Sequence, residues 1–242
     1  MRKCDLRGFR VILSLGYACI RTNSDEIANH MEAALTLVTS VAILGLFAIT
    51  QVLVGRGTSP QTTRRLAHVA GAVMASTFPL YLQLRDVLLL GTAFSIFLTW
   101  TSIRCGLRSI HGVSRGSVGA QMFPVGLTIA AMVSWPYPSA YSFGAFVLGL
   151  ADPAAAIIGG RVGGYGWKIP NGRKTTAGSL TFFAVAFILG ISLSIGAGSV
   201  SIAGAITAAV VLAAIEGLSP FGLDNLVLPL SAAVLGVMLL GL

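Results

Sequence analysis

Charge is scarce in this sequence. Across 242 residues, Asp, Glu, Lys and Arg make up 10%, and only eight residues are acidic. A soluble domain of this length needs a far more charged surface, so that class is excluded. Cysteine is scarce as well. Cys4, Cys19 and Cys105 are too widely spaced for a disulfide framework or a zinc pattern. What fills the chain instead is apolar: hydrophobic residues make up 55% and the mean hydropathy is +0.85. The protein reads as a polytopic membrane protein. Its net charge of +8 does not imply a nucleic-acid partner, because in a membrane protein the placement of charges matters more than their sum.

Eight apolar runs are each near the ~20 residues needed to cross the hydrocarbon. They are Ala33–Val54, Leu66–Leu84, Val87–Ile103, Val118–Ser134, Ser139–Ile158, Gly178–Ile195, Val200–Glu216 and Asn225–Leu242. The expected fold is an all-α, polytopic integral membrane bundle of about seven or eight transmembrane helices. Residues 31–242 read as one catalytic domain. Residues 1–30 read as an extension, disordered or amphipathic, with Met31 as an alternative start.

Loop charges sort by side. Arg56, Arg64 and Arg65 lie in the first loop, Arg104, Arg108 and Arg115 in the third, and Arg161, Lys168, Arg173 and Lys174 in the fifth. The even loops hold only Arg85, beside Asp86. The positive-inside rule therefore places the odd loops in the cytoplasm.

Ionisable residues within spans are costly, so each is a functional candidate. Asp152 lies inside the fifth span, and Pro153 after it predicts a kink or break that lines a polar cavity. Asp152 is a candidate magnesium ligand or acid/base, against the plainer reading of a packing Asp paired with an Arg. Gly159, Gly160, Gly163, Gly164 and Gly166 follow, read as one short loop whose backbone N–H groups could approach phosphate, with Arg161, Arg173 and Lys174 adding charged donors. The stretch is not a P-loop: the glycine spacing is wrong and no strand is expected before it. Lys174 and Thr175 precede the sixth span, where a helix N-terminus favours an anion. Arg64 and Arg65 stand four and three residues before His68, on one helix face at the mouth of the second span. This cluster suggests phosphate binding or proton transfer. Glu216 ends the seventh span, and Asp224 and Asn225 open the eighth, followed by Pro229. Asp224 could be simply a helix cap. With Asp152 and Glu216 it could instead complete a metal site. Arg115 and Gln121 are weaker candidates, and His111 reads as a loop residue.

At this point the residues resemble a known group. Ala151-Asp152-x-x-Ala155, Gly159, Gly163-Gly164 and then Lys174-Thr175-x-x-Gly178-Ser179 are similar to the CTP-dependent polyprenol kinase family. That family includes dolichol, phytol and farnesol kinases and the fungal CTP-dependent diacylglycerol kinase. Arg65-x-x-His68 and Glu216…Asp224-Asn225…Pro229 match its other signatures, so the resemblance runs from about Arg64 to the C-terminus. It implies transfer of the CTP γ-phosphate to a lipid alcohol with magnesium. Catalytic and metal roles would fall on Asp152, Asp224 and Glu216, with His68 also catalytic. Nucleotide contacts would come from Arg65, Gly159, Arg161, Gly163, Gly164, Lys174, Thr175, Gly178, Ser179 and Asn225. The chain is short beside dolichol kinases and fits a phytol or other prenol kinase. The lipid itself is not legible: phytol, farnesol, a polyprenol and diacylglycerol would all meet the same apolar side chains.

Two other readings stay open. Phosphatidate cytidylyltransferases share the central motif, but their C-terminal Lys-Asp, His-Gly-Gly and Asp-Arg signature is absent here. A transporter would also show a broken helix with an acid at depth, though it needs no Gly-Lys-Arg cluster and no inverted repeat is evident.

Overall fold

The structure is a computed structural model in which residues 6–104, 106–112, 117–170 and 172–242 are described, with side chains from residue 29 onward. Arg115, Cys4 and Cys105, and the side chain of Cys19, lie outside the described residues.

The described chain is almost wholly helical: α1 (Leu6–Gly55), α2 (Pro60–Ser76), α3 (Leu84–Ile103), the single turn α4 (Arg108–His111), α5 (Gly119–Ser134), α6 (Pro138–Phe146), α7 (Asp152–Val162), α8 (Thr176–Gly196), α9 (Ile202–Leu218) and α10 (Asp224–Leu235). Seven of the eight apolar runs fall mainly on helices, while Leu66–Leu84 leaves α2 at Ser76 and passes through the turn Phe78–Leu80 to the start of α3. Four helical segments are long and apolar enough to cross a membrane: Asn29–Gly55, Leu84–Ile103, Pro138–Val162 and Thr176–Gly196. Gly119–Ser134, Ile202–Leu218 and Asp224–Leu240 are shorter apolar helices.

Cap chemistry fixes several starts. Ser59 Oγ accepts the Thr62 N–H with Pro60 in the first turn of α2, while Thr175 and Ser201 accept from Gly178 and Gly204 to open α8 and α9. Small residues set the packing, as expected where lipid removes a hydrophobic drive between helices. α10 lies between α5 and α6 because Gly126 and Gly144 let it approach. A Cβ on Gly126 would strike the Asn225 carbonyl oxygen, and one on Gly144 would stand 2.5 Å from the Pro229 carbonyl oxygen. Pro229 has no N–H to offer the Asn225 carbonyl four residues earlier, so Gly126 fits against an oxygen that the helix leaves unbonded.

Two expectations change here. Asp152-Pro153 does not break its helix. α6 and α7 join through a π turn at Val147–Ala151, making one segment from Pro138 to Val162. The glycine stretch is also not a single loop without strands. Gly159 and Gly160 belong to α7, which ends at Gly163 and Gly164 with positive φ (69° and 83°). A hairpin follows, β1 (Gly166–Ile169) antiparallel to β2 (Gly172–Thr175), pairing Trp167 with Lys174. β2 runs straight into α8, so a strand does precede Thr176. The strand–loop–helix geometry of a P-loop is still missing, because Lys174 sits within the strand.

The odd-numbered loops meet at one end of the bundle. The Val118 N–H bonds the Phe221 carbonyl, and Arg64 at the start of α2 donates to Ser117 Oγ at 3.3 Å. Glu32 of α1 meets Gln83 and Arg85 at the start of α3, away from that end.

Candidate functional site

The π turn explains how Asp152 and His68 come together. In the π register the Asp152 N–H bonds Val147 O rather than Leu148 O. Pro153 has no N–H to replace it. The Leu148 carbonyl is therefore left without a helical donor, and His68 Nε2 lies 2.8 Å from it. A carbonyl only accepts, so Nε2 carries the proton and the lone pair of neutral His68 sits on Nδ1. Phe123 packs on the edge of the ring at 4.9 Å between centroids. Asp152 Oδ2 then stands 3.9 Å from Nε2, too far for a hydrogen bond but close enough for charge to matter.

Lys174 is the hub of the second half. The hairpin presents it beside Trp167, and Trp167 Nε1 donates to the Gly217 carbonyl at 2.9 Å. This clamps β1 to the last turn of α9, so Lys174 reaches Glu216 and pairs with its Oε1. Its ammonium also stands 3.7 Å from Asp224 Oδ2. Burial lowers the pKa of Lys174, but the Glu216 carboxylate, with Asp224 and Asp152 beyond it, raises it further, so the net shift is upward and the amine stays charged. Replacing Trp167 by Phe removes the bond to Gly217 and should cost about 1 kcal/mol of stability. A denaturant titration of the detergent-solubilised protein checks this, and an unchanged midpoint would show that the clamp carries no weight.

Arg64 supplies the second cation. It lies within electrostatic reach of Asp224 and Asp152. Asn225 is buried and donates from Nδ2 to the Gly119 carbonyl at 2.6 Å, stitching α10 to α5. Asp224 is not the cap of α10, a position held by Leu223. Its Oδ1 accepts the Asn225 N–H at 2.9 Å, leaving Oδ2 toward Lys174.

The structure thus brings together His68, Asp152, Lys174, Glu216, Asp224 and Asn225, with Arg64. Arg65 makes no hydrogen bond or ion pair with this group among the described residues, and Arg64 takes the place expected of it. Arg161 is exposed on the last turn of α7. Gly159 and Gly178 serve a packing role: a Cβ on Gly159 would stand 2.6 Å from Thr175 Oγ1 and 3.1 Å from Gly178 Cα. They allow α7 and α8 to cross closely. Gly163 and Gly164 have open space around them and turn the chain into the hairpin. Thr175 caps α8, while Ser179 in its first turn has a buried hydroxyl without a partner. Gln121 also has a buried, unpartnered side-chain oxygen, and His111 Nε2 lies 3.2 Å from Thr101 Oγ1.

Among the described residues, no three His, Cys, Asp or Glu side chains are grouped to form a metal cage. Lys174 stands between Glu216 and Asp224. The donor set still fits magnesium, which typically takes one or two carboxylates and completes its shell with substrate phosphates and water. Glu216 Oε2 is the fitting feature, a buried carboxylate oxygen without a partner. An ion bound here would draw on Glu216 with Asp152 or Asp224, rather than on all three together.

Sequence reasoning missed Trp167, the Leu148 carbonyl and Gly119. Only Trp167 carried a usable signal, as an aromatic next to a basic residue in a glycine-rich segment. The other two act through backbone atoms and leave no trace in side-chain identity.

Comparison with known proteins gives one informative likeness. The chain is 28% identical over 221 residues to a protein of Synechocystis named phytol kinase, covering 87% of this chain and 94% of that protein. No protein-family model matches the chain, and no solved structure matches it.

Proposed function

We propose that this protein is a membrane-embedded kinase that transfers the γ-phosphate of CTP to a prenol such as phytol, farnesol or a longer polyprenol. The observation that carries the reading is the convergence of Arg64, His68, Asp152, Lys174, Glu216 and Asp224 at one end of an otherwise apolar bundle. The likeness to a phytol kinase over most of the chain supports the same substrate class.

In this reading the prenol oxygen attacks the γ-phosphorus in line. The new O–P bond forms as the bond from the γ-phosphorus to the bridging oxygen breaks, and CDP leaves with that electron pair. The hydroxyl proton passes to Nδ1 of His68, whose other nitrogen is held by Leu148. Lys174 and Arg64 neutralise phosphate charge, and the Ser179 hydroxyl in the first turn of α8 would donate to it. Magnesium, when bound, would supply further charge neutralisation on the phosphates. The shorter apolar helices would cross the membrane with the four long ones, the site facing the cytoplasm as the loop charges require.

The test is an assay of purified protein with γ-labelled CTP, ATP or UTP and a panel of lipid alcohols, including diacylglycerol. Label on a prenol, with CDP released from CTP, is the expected result. Release of pyrophosphate with a phosphatidate acceptor would turn the reading into cytidylyl transfer. Uptake by liposomes without nucleotide would turn it into transport.

A further inference from the structure

A groove runs from this site into the apolar body of the protein, between α1, α2, α3 and α5. Its polar end is formed by Arg64, His68 and Asn225, together with Gly119. The remainder of its wall is almost entirely apolar, with aromatic side chains from Phe47, Phe94 and Phe123, and Phe78 and Tyr141 farther along. Its cavity volume is about 100 Å3, and the rest of the space along it is open to the outside.

Its length follows from the helices that line it. Arg64 and Ala75 are both on its α2 wall, and the 11 residues between their positions span about 16 Å at ~1.5 Å each. Val87 and Leu98 bound a similar stretch on α3. That is about half of a ~30 Å hydrocarbon core, the depth of one leaflet. α1, which forms the outer wall, is largely exposed along its apolar stretch and so faces lipid. The hydroxyl of Tyr141, a residue fully enclosed on this wall, has no hydrogen-bond partner.

We propose that this groove holds the hydrocarbon chain of the acceptor alcohol, one chain wide, with its hydroxyl at the Arg64–His68–Asn225 mouth. The proposal rests on the kinase reading for the identity of the occupant. It adds that the chain lies inside the protein rather than in the surrounding bilayer. It also adds that two-chain glycerolipids are poor substrates, because one mouth leads to one groove.

Ala75→Phe tests this, because Ala75 lines the groove at a distance from the charged residues. The variant should raise KM for a twenty-carbon prenol by at least about tenfold while changing kcat/KM for a five-carbon prenol less than about twofold. Equal effects on both alcohols, or none on either, would overturn the groove. Should the variant fail to fold, wild-type protein photolabelled with a twenty-carbon prenol carrying a diazirine on its chain decides instead. Adducts on Phe94, Phe123 or Tyr141 support the proposal, and adducts confined to the outer faces of α8 and α9 overturn it. Groove adducts in a protein that phosphorylates no alcohol would sink the kinase reading and leave the groove as a lipid site.

Discussion

Asp152→Asn should lower turnover by at least about 10³-fold while leaving the fold intact. The side chain keeps its shape, so only charge is removed. Asp152 makes no side-chain hydrogen bond among the described residues; His68 Nε2 stands 3.9 Å from its Oδ2. The π turn that positions it depends on Pro153 and on the Leu148 carbonyl, neither of which the substitution touches. Asp152 also shares its surroundings with Asp224 and Glu216 as well as with Lys174 and Arg64. Three carboxylates gathered around two cations repel one another, so losing one charge should leave stability unchanged or slightly raised. An inactive variant that is no less stable is the pattern of a residue kept for chemistry. Initial rates of prenyl phosphate formation, with a denaturant titration alongside, check both halves. Activity within about tenfold of wild type would remove Asp152 from the reaction.

Much of this site was legible in the sequence because its parts are costly where they stand. An Asp inside an apolar run, a Lys at a helix start and a Glu at a helix end each need an explanation, and loop charge alone put them on one side. The pairing was not legible. That Lys174 meets Glu216, 42 residues away, depends on a hairpin whose first strand holds Trp167 against Gly217. Strand pairs this short carry too weak a pattern to be read from composition. The choice of Arg64 over Arg65 is similarly set by the rotation of α2, since both spacings to His68 are helical neighbours. The glycines misled in an instructive way. Gly159 read as part of a phosphate loop, yet it lies within α7, where a close helix crossing asks for the same residue. The π turn at Val147–Ala151 was anticipated only as a kink or break at Pro153, because proline predicts a disturbed helix without saying how the freed carbonyl is satisfied.

Lys174→Met should damage both stability and activity, and a second substitution should separate the two. Without the ammonium, Glu216 keeps a buried carboxylate with no partner on either oxygen. Breaking one side of a buried pair costs about 3–5 kcal/mol. Turnover should fall by roughly 10²–10³-fold, the scale of one lost charged donor at a reacting phosphate. Adding Glu216→Gln removes the stranded charge, so the double variant should regain most of the stability and none of the activity. The pH dependence gives an independent check. Because Glu216 and Asp224 outweigh burial and raise the pKa of Lys174, the pair's contribution is fully present below the ordinary lysine value of 10.5. It is lost only as pH rises through the higher value of the folded protein. The stability gap between wild type and Lys174→Met should therefore stay flat from about pH 7 to 10 and close above that range. A gap that closes near neutrality would place the charge elsewhere. A double variant that recovers turnover would show that Lys174 serves only to neutralise Glu216.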